Sequence, residues 1–334
     1  MKTATTEHGR VVAITGTGSY LPERVLTNAD LEKMVETTDE WIQTRTGIRE
    51  RRIAAEGEAT SDMAAAAASR ALAAAGLAPE ELDMIVVGTL TPDMIFPNTA
   101  CFVQQKIGAR KAFCLDLEAA CSGFVYGLET ARHFVAAGTA RNALVIGAEK
   151  LSCVTDWEDR ATCVLFGDGA GAVVLQPRSE GRGILGSVMG SDGSLAHLLN
   201  LPGGGSRHPV SRKTLEDRLH YMKMTGNEVF KHAVRCMTAA GQSVLHRYGV
   251  SMEQVAWVIP HQANRRIIDA IAERFDGAGA KFIVNLDRVG NVSAASIPLA
   301  LDEAVRAGRI RRGDLLLLIA FGGGFTWGAT LLEW

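Results

Sequence analysis

The chain has 334 residues, of which 47% are hydrophobic and 22% are charged, and its net charge at pH 7 is −2. These values are typical of a globular protein with two domains, or with one domain built from two halves. A net charge this close to zero argues against a general nucleic-acid binder. No apolar run approaches the roughly 20 residues that cross a bilayer. The polar start, residues 1–10, lacks the apolar region of a secretory signal, so we expect a cytoplasmic protein.

The six cysteines show neither the Cys-x-x-Cys spacing nor the Cys/His grouping of a metal site. We therefore expect no bound metal. In a cytoplasmic protein the thiols stay reduced, and most of them are expected to be small apolar core residues. The remaining question is whether one of the six is chemically special.

The chain repeats itself in the order of its predicted elements. Residues 76–88 align without a gap on residues 249–261, and each stretch leads from a glycine that ends a helix into a buried strand. Further pairs of strands and helices recur at an offset of roughly 170 residues, a period that indicates two related halves rather than a solenoid.

Strands made of continuous Val, Ile and Leu runs alternate with helices, which is typical of α/β architecture with buried sheets. We predict two duplicated βαβαβ-type halves, residues 1–176 and 177–334, packed about a pseudo-twofold axis with a central active site. Cys121 and Asn291 fall at nearly matching positions of the two halves. The duplication therefore predicts that these two residues lie close together.

Cys121 lies in residues 117–124, where a predicted strand ends and a helix begins. The free N–H groups and the dipole of a helix N-terminus lower the pKa of a thiol and favour the thiolate. Small neighbours leave room for a substrate thioester. The alternative interpretation is a buried structural cysteine.

Three further positions near strand ends are candidates for the chemistry. His261 is either a general acid–base or donor group, or a structural histidine. Asn291 either caps a turn or helix, or donates to a carbonyl that becomes an enolate. Glycines 322–324 let the backbone approach a ligand. They indicate either an oxyanion hole shared with the Cys121 N–H or a bare turn. A phosphate-binding loop is disfavoured, because this segment lacks the Lys-Ser/Thr ending of such loops.

Together these segments resemble the β-ketoacyl–acyl carrier protein synthase III family of thiolase-like condensing enzymes. The resemblance covers the chain in colinear order, and the set of a cysteine, a histidine and an asparagine is specific, because the elongating enzymes of the same fold use a cysteine with two histidines. The segments that carry it are residues 41–48, 117–124, 160–171, 261–267, 290–298 and 322–328.

The resemblance implies a decarboxylative Claisen condensation that initiates fatty acid synthesis. Cys121 would take a short acyl group, such as acetyl, from acyl-coenzyme A. Malonyl-acyl carrier protein would then lose CO2 to give the attacking enolate. His261 and Asn291 would donate hydrogen bonds to the malonyl thioester, and the N–H groups of Cys121 and Gly323 would hold the other oxyanion. No metal or redox cofactor would be needed.

The same resemblance implies residues that bind the substrates or a second subunit. Phe96 would close the acyl pocket of the partner in a homodimer, and its bulk favours a short primer. The implied coenzyme A contacts are Trp41, Arg45, Arg160 and Asn264. The implied docking residues for the acidic carrier protein are Lys231, Arg235, Arg265 and Arg266. Arg265 departs from the family, in which an apolar residue is usual at this position, and an ordinary solvated face explains the helix pair Lys231 and Arg235 equally well.

Two other functions fit the same residues. A sister enzyme of secondary metabolism that condenses or transfers acyl groups would keep the cysteine, histidine and asparagine. A non-catalytic acyl-binding protein would need no nucleophile. The sequence leaves open the length and branching of the primer, the pathway and the regulation.

Overall fold

The computed structural model describes residues 10–334. Residues 1–9, which open the predicted N-terminal half and carry the expectation of no secretory signal, lie outside the described residues. The strands are β1 Val11–Tyr20, β2 Arg24–Thr27, β3 Glu50–Ile53, β4 Met84–Gly88, β5 Phe113–Leu117, β6 Ala143–Lys150, β7 Asp168–Arg178, β8 Ile184–Ser191, β9 Leu199–Asn200, β10 Lys223–Met224, β11 Val255–Pro260, β12 Leu315–Gly322 and β13 Thr326–Glu333.

The helices lie between these strands. The α-helices are α1 Asn28–Leu31, α2 Asp39–Thr46, α3 Thr60–Ala75, α4 Thr99–Ile107, α5 Gly123–Ala136, α6 Arg160–Cys163, α7 Arg212–Glu216, α8 Gly226–Tyr248, α9 Arg265–Arg274, α10 Leu286–Val289 and α11 Ser296–Arg306. Short 3-10 turns occur at Pro79–Glu81, Ala120–Ser122, Leu151–Cys153, Gly193–Leu198, Ala278–Lys281 and Ser293–Ala295. Within the span 10–334, none of the helices is both long enough and apolar enough to cross a membrane.

The two large sheets use one strand order. The first sheet runs β1-β7-β6-β4-β5, and the second runs β8-β13-β12-β11. Phe282 forms a parallel bridge with Val258 of β11, so its segment lies at the edge of the second sheet, where β5 lies in the first sheet. In both sheets the strands towards β5 or β11 pair in parallel, and the strands towards β1 or β8 pair antiparallel. The predicted duplication of an α/β half is therefore confirmed at the level of strand order.

The sheets and helices form five layers. Helix α3 covers the outer face of the first sheet, α8 covers the outer face of the second, and α5 and α11 lie between them. The central helices are apolar and contribute Phe124, Leu128, Ile297 and Leu301 to the core shared by both sheets. The first sheet draws on residues 11–178 and the second on residues 184–333. The domain boundary at 176/177 remains a prediction.

The turn before each central helix has the same backbone conformation in both halves. Ala120 and Ser293 each have a φ of 45°, and each begins a 3-10 turn that leads into α5 or α11. The residue after Ala120 is Cys121, and the residue after Ser293 is Ala294. Ala294 is therefore the structural counterpart of Cys121, and Asn291 lies just before that position.

Candidate active site

One cavity of about 720 Å³ collects residues from both halves of the chain. It lies where the turns before the two central helices meet the loops that follow β11 and β12. Its lining contains most of the residues that the sequence singles out: Trp41, Arg45, Cys121, His261, Asn264, Arg266, Asn291 and Gly323. The remaining candidates lie outside the lining: Phe96, Arg160, Lys231, Arg235 and Arg265.

The turn that carries Cys121 is held from both sides. The Ala120 N–H donates to Glu118 Oε1 at 2.9 Å, and Thr326 Oγ1 donates to the carbonyl of Ala119 at 2.8 Å. Gly322 packs directly beneath the nucleophile, since a Cβ at this position would lie 2.6 Å from the Cys121 backbone nitrogen. The glycine run is thus required by the close approach of β12 to this turn.

Burial dominates the ionisation of the Cys121 thiol. It raises the pKa to about 12, the carboxyl groups of Glu149 and Glu118 add to the rise, and the hydroxyl of Ser293 opposes it. This direction is opposite to the lowered pKa expected from the sequence, because removal of the thiolate from water is the largest contribution. The thiol is therefore protonated at neutral pH, and its proton has to leave during any acyl transfer.

His261 is a buried, neutral imidazole at the end of β11. Its backbone N–H donates to the Ile319 carbonyl at 2.8 Å, which fixes the loop against β12. Burial lowers the pKa of the ring to about 3. No described residue hydrogen bonds with Nδ1. Nδ1 is buried among protein atoms, so Nε2 is the ring nitrogen left to a substrate in the cavity, and it donates when it carries the proton of the neutral ring.

Asn291 uses one end of its amide locally and keeps the other free. Its Oδ1 accepts from the Ser293 N–H at 2.9 Å, and its backbone bridges the Leu165 carbonyl and the Gly167 N–H. The local capping interpretation is thus correct for the oxygen. Because the oxygen is occupied, the NH2 group is the part of the side chain available to a substrate in the cavity.

Aromatic and cationic groups form the mouth of the cavity. The guanidinium of Arg160 lies 4.9 Å from the centroid of the Trp41 ring, and that of Arg45 lies 5.6 Å from it. Arg160 also donates to the Glu36 carbonyl at 3.0 Å, and Asn264 Nδ2 donates to the Arg45 carbonyl at 3.1 Å. The residues that the resemblance assigns to coenzyme A therefore form one cluster, although Arg160 reaches it from outside the cavity lining.

The residues predicted to dock the carrier protein do not form one uniform cationic surface. Lys231 is paired with Glu228 at 2.8 Å, and Arg265 is paired with Asp269 at 2.8 Å. Arg266 lies 5.6 Å from the centroid of the Phe230 ring and lines the cavity. Arg235 lies outside the cavity beside His232. Of the four predicted docking residues, Arg266 is the one placed at the mouth.

Phe96 is 82% exposed on the loop before α4, beside Ile95 at 84%. It does not line the cavity of its own chain. This position is compatible with the predicted contribution to a partner's pocket, which remains a prediction.

Two residues near the cavity were not identified from the sequence. Gln262 donates through Nε2 to the Pro260 and Ile283 carbonyls, and so braces the loop that carries His261. Glu149 ends the apolar run of β6 and accepts from Thr91 Oγ1 at 2.7 Å; burial raises the pKa of its carboxyl to about 7. Glu149 could have been singled out from the sequence, because it is a lone acidic residue at the end of an apolar strand.

Two duplicated α/β halves that bring a cysteine, a histidine and an asparagine to one cavity define the class of thiolase-like condensing enzymes. Family profiles described as 3-oxoacyl-[acyl-carrier-protein] synthase III match residues 115–193, and the C-terminal part of that family matches residues 245–334. A relative from Desulfitobacterium hafniense, described as β-ketoacyl-[acyl-carrier-protein] synthase III, is 55% identical over 97% of this chain and 98% of its own.

Solved structures agree with these matches. The 3-oxoacyl-[acyl-carrier-protein] synthase III from Aquifex aeolicus is 52% identical, with a TM-score of 0.90 over 97% of this chain and 100% of its own. The priming β-ketosynthase of the R1128 polyketide pathway is 36% identical, with a TM-score of 0.91 over 98% and 97% of the two chains. The chain belongs to the β-ketoacyl-[acyl-carrier-protein] synthase III family, whose members are condensing acyltransferases.

Proposed function

We propose that the protein is a β-ketoacyl-[acyl-carrier-protein] synthase III that initiates fatty acid synthesis. It condenses a short acyl-coenzyme A primer, of which acetyl is the first choice, with malonyl-acyl carrier protein. The observation that carries the proposal is the meeting of Cys121, His261 and Asn291 in one cavity whose mouth holds Trp41. The family of the chain supports the same conclusion.

The first half-reaction is acyl transfer to Cys121. The sulfur attacks the thioester carbonyl, a new C–S bond forms, and the bond to coenzyme A breaks. The proton of the thiol ends on the coenzyme A sulfur, so the step is balanced without a further reactant. The N–H groups of Cys121 and Gly323 stabilise the negative oxygen that develops on the carbonyl.

The second half-reaction starts with the loss of CO2 from the malonyl thioester. The electron pair of the broken C–C bond moves onto the thioester as an enolate, to which His261 Nε2 and the Asn291 NH2 group donate hydrogen bonds. Both donors gain strength as the negative charge develops, which is what catalysis requires. The enolate carbon attacks acyl-Cys121, β-ketoacyl-carrier protein leaves, and the released thiolate takes up a proton. These steps need no metal or redox cofactor.

Substrate binding is proposed for the groups at the mouth. Trp41 and Arg160 would hold the adenine of coenzyme A by stacking and cation–π attraction. Arg45 would lie beside this adenine site, and Asn264 would line the path of the pantetheine. Arg266 is the best placed of the four predicted docking residues to attract an acidic carrier protein.

A homodimer in which Phe96 enters the partner's acyl pocket completes the proposed arrangement, with Lys231, Arg235 and Arg265 as outer docking residues. We further propose a cytoplasmic location.

Intact-mass measurement tests the two half-reactions separately. We expect the protein to gain one acetyl group from acetyl-coenzyme A alone, on Cys121, and to lose it when malonyl-carrier protein is added, with release of acetoacetyl-carrier protein. An adduct only with longer or branched acyl groups would overturn the primer and keep the mechanism. The absence of an adduct with every donor would overturn the enzyme proposal and favour a non-catalytic acyl-binding protein.

A sister enzyme of secondary metabolism is the second candidate, favoured by the likeness to the priming ketosynthase of the R1128 pathway. A condensation product formed without carrier protein, or a carrier preference for a polyketide system, would support it over the first.

A further inference from the structure

Arg51, on β3, is a buried cation without a carboxylate in ion-pair contact among the described residues. Its side chain is 0% exposed, and none of the ion pairs in the described part of the chain involves it. Burial lowers the pKa of the guanidinium to about 10. An unpaired buried charge costs free energy unless hydrogen bonds compensate it, so the bonds that Arg51 makes are informative.

The guanidinium holds the segment that carries Arg160. Nη2 of Arg51 donates to the Val164 carbonyl at 2.7 Å, and Val164 is the C-cap residue that directly follows α6. Helix α6 begins at Arg160, whose guanidinium covers the Trp41 ring. The Nη2 group of Arg51 therefore supports, from beneath, the side of the cavity mouth that is formed by Arg160.

The other arm reaches the opposite side of the mouth through Asn28. Nη1 of Arg51 donates to Asn28 Oδ1 at 2.8 Å and to the Leu26 carbonyl at 3.2 Å. Asn28 Nδ2 in turn donates to Asp39 Oδ1 at 2.8 Å. Asp39 begins α2, the helix that carries Trp41 and Arg45. The two elements whose side chains meet at the mouth are thus connected a second time, beneath the surface.

The stem of Arg51 supports the segment that carries Asn291. A Cβ at Gly290 would lie 3.0 Å from the Cβ of Arg51, and a Cβ at Gly167 would lie 3.1 Å from it. These glycines flank the bridge between Phe166 and Asn291, in which the Asn291 N–H donates to the Leu165 carbonyl at 2.9 Å. The bridge therefore rests directly on the Arg51 side chain.

We propose that Arg51 is a positioning residue that fixes the mouth of the cavity and the Asn291 donor relative to each other. A planar guanidinium can donate to several elements at once in a fixed geometry, whereas an ammonium or a neutral group of similar length cannot. Small displacements of binding or donor groups lower rates strongly, so this placement couples primer binding to enolate stabilisation. The inference rests on the proposed function of the cavity.

Two variants separate the two arms. Arg51→Lys keeps the charge and the Cβ beneath Gly290 but loses the fork, which frees the Val164 carbonyl and, next to it, the Leu165 carbonyl that holds the Asn291 N–H. Both half-reactions should therefore slow by about tenfold, the factor expected for one lost hydrogen bond to a charged group. Asn28→Asp keeps the acceptor for Arg51, loses the NH2 group that donates to Asp39 and to the Ile48 carbonyl, and places two carboxylates side by side. It should slow acylation of Cys121 by acetyl-coenzyme A by about tenfold. Condensation from preformed acetyl-enzyme at saturating malonyl-carrier protein should stay within about twofold, because the Asn291 side is untouched.

Thr17→Val is the matched control. It removes a buried hydrogen bond of 2.7 Å that Thr17, on β1, donates to Asp302, on α11, and neither residue lines the cavity. Its melting temperature should fall, and both half-reactions measured well below that temperature should keep their rates. If Arg51→Lys behaves like this control, with a lower melting temperature and unchanged half-reactions, the positioning role is wrong.

Hydrogen–deuterium exchange gives a readout that does not depend on catalysis. In Arg51→Lys, residues 39–46, 160–167 and 288–293 should lose protection together, and in Asn28→Asp the loss should be confined to residues 26–46. Loss of protection at β3 alone would contradict the proposal. Failure of the wild-type protein to form an acyl adduct would overturn the proposed function. The exchange result would then still show whether Arg51 connects α2, the α6 segment and the Asn291 segment.

Discussion

In the first half of the chain the turn before the central helix carries Cys121, and in the second half the same turn carries Ala294. The likeness extends to a hydrogen bond: Glu118 accepts from the N–H two residues ahead at 2.9 Å, and Asn291 does the same at 2.9 Å. The carboxylate of Glu118 has no N–H to offer, whereas the Asn291 amide keeps its NH2 group. One backbone design thus supports a nucleophile in one half and a hydrogen-bond donor in the other, and the difference lies in the side chains.

The largest effect is expected from moving the nucleophile between the halves. Cys121→Ala should abolish the acyl adduct and lower condensation by about 10⁴-fold or more. Adding Ala294→Cys should not restore it, because Ala294 is 1% exposed and packs against Gly123 and Gly147, away from the cavity lining. Intact-mass measurement after incubation with acetyl-coenzyme A detects the acyl adduct in Cys121→Ala and in the double variant. An adduct in the double variant would mean that the two turns are chemically equivalent.

A smaller effect is expected when the turn of the second half is made like that of the first. Asn291→Asp keeps the acceptor for the Ser293 N–H and removes the NH2 donor, so decarboxylation and condensation should fall by about 10²- to 10³-fold. Acylation of Cys121 should fall less. The matched change in the first half, Glu118→Gln, keeps its acceptor and should leave condensation within about threefold. Equal losses in both half-reactions for Asn291→Asp would argue against a donor role confined to the enolate.

The close packing of β12 against the Cys121 turn predicts a smaller effect, on the rate of acylation. A methyl group at Gly322 would lie 2.6 Å from the Cys121 nitrogen, so Gly322→Ala should displace the nucleophile and slow acylation by about 10- to 100-fold. Gly193→Ala is the control, since a Cβ there meets no atom within 4 Å. Stopped-flow or quenched-flow acylation measures the difference. Equal rates in the two variants would show that the turn tolerates the shift.

The smallest effect concerns stability rather than rate, and it separates His261 from Cys121 by the pH at which each lowers stability. The folded pKa of His261 is about 3 against an ordinary value of 6.5, so the unfolded chain takes up a proton that the folded chain refuses. Stability should therefore fall as pH falls from 6.5 towards 3. His261→Gln should show a shallower loss of melting temperature over this interval. The pKa of Cys121 is instead higher in the folded chain than its ordinary value of 9.0, so the unfolded chain loses this proton first as the pH rises. The contribution of Cys121 to stability is therefore lost above pH 9.

Much of the fold could be predicted from the pattern of the chain. Apolar strand runs, helix-ending glycines and their repetition are local signals, and they predicted the two α/β halves and the candidates Cys121, His261 and Asn291. The roles of Arg51, Gln262 and Glu149 could not be predicted in this way. Each is a polar side chain whose partners lie on other elements or in other loops, and a single sequence does not show which loops meet.

What the sequence determined by itself is the scaffold and the residue types placed at its strand ends, because periodicity and turn chemistry act over a few neighbouring residues. The tertiary structure alone decided how those residues behave. It raised the pKa of Cys121 through burial, where the local helix terminus predicted the opposite. It also decided which end of the Asn291 amide is free and which cations of the docking set lie at the mouth. Burial and hydrogen-bond partners depend on distant segments coming together, and these contacts exist only after folding.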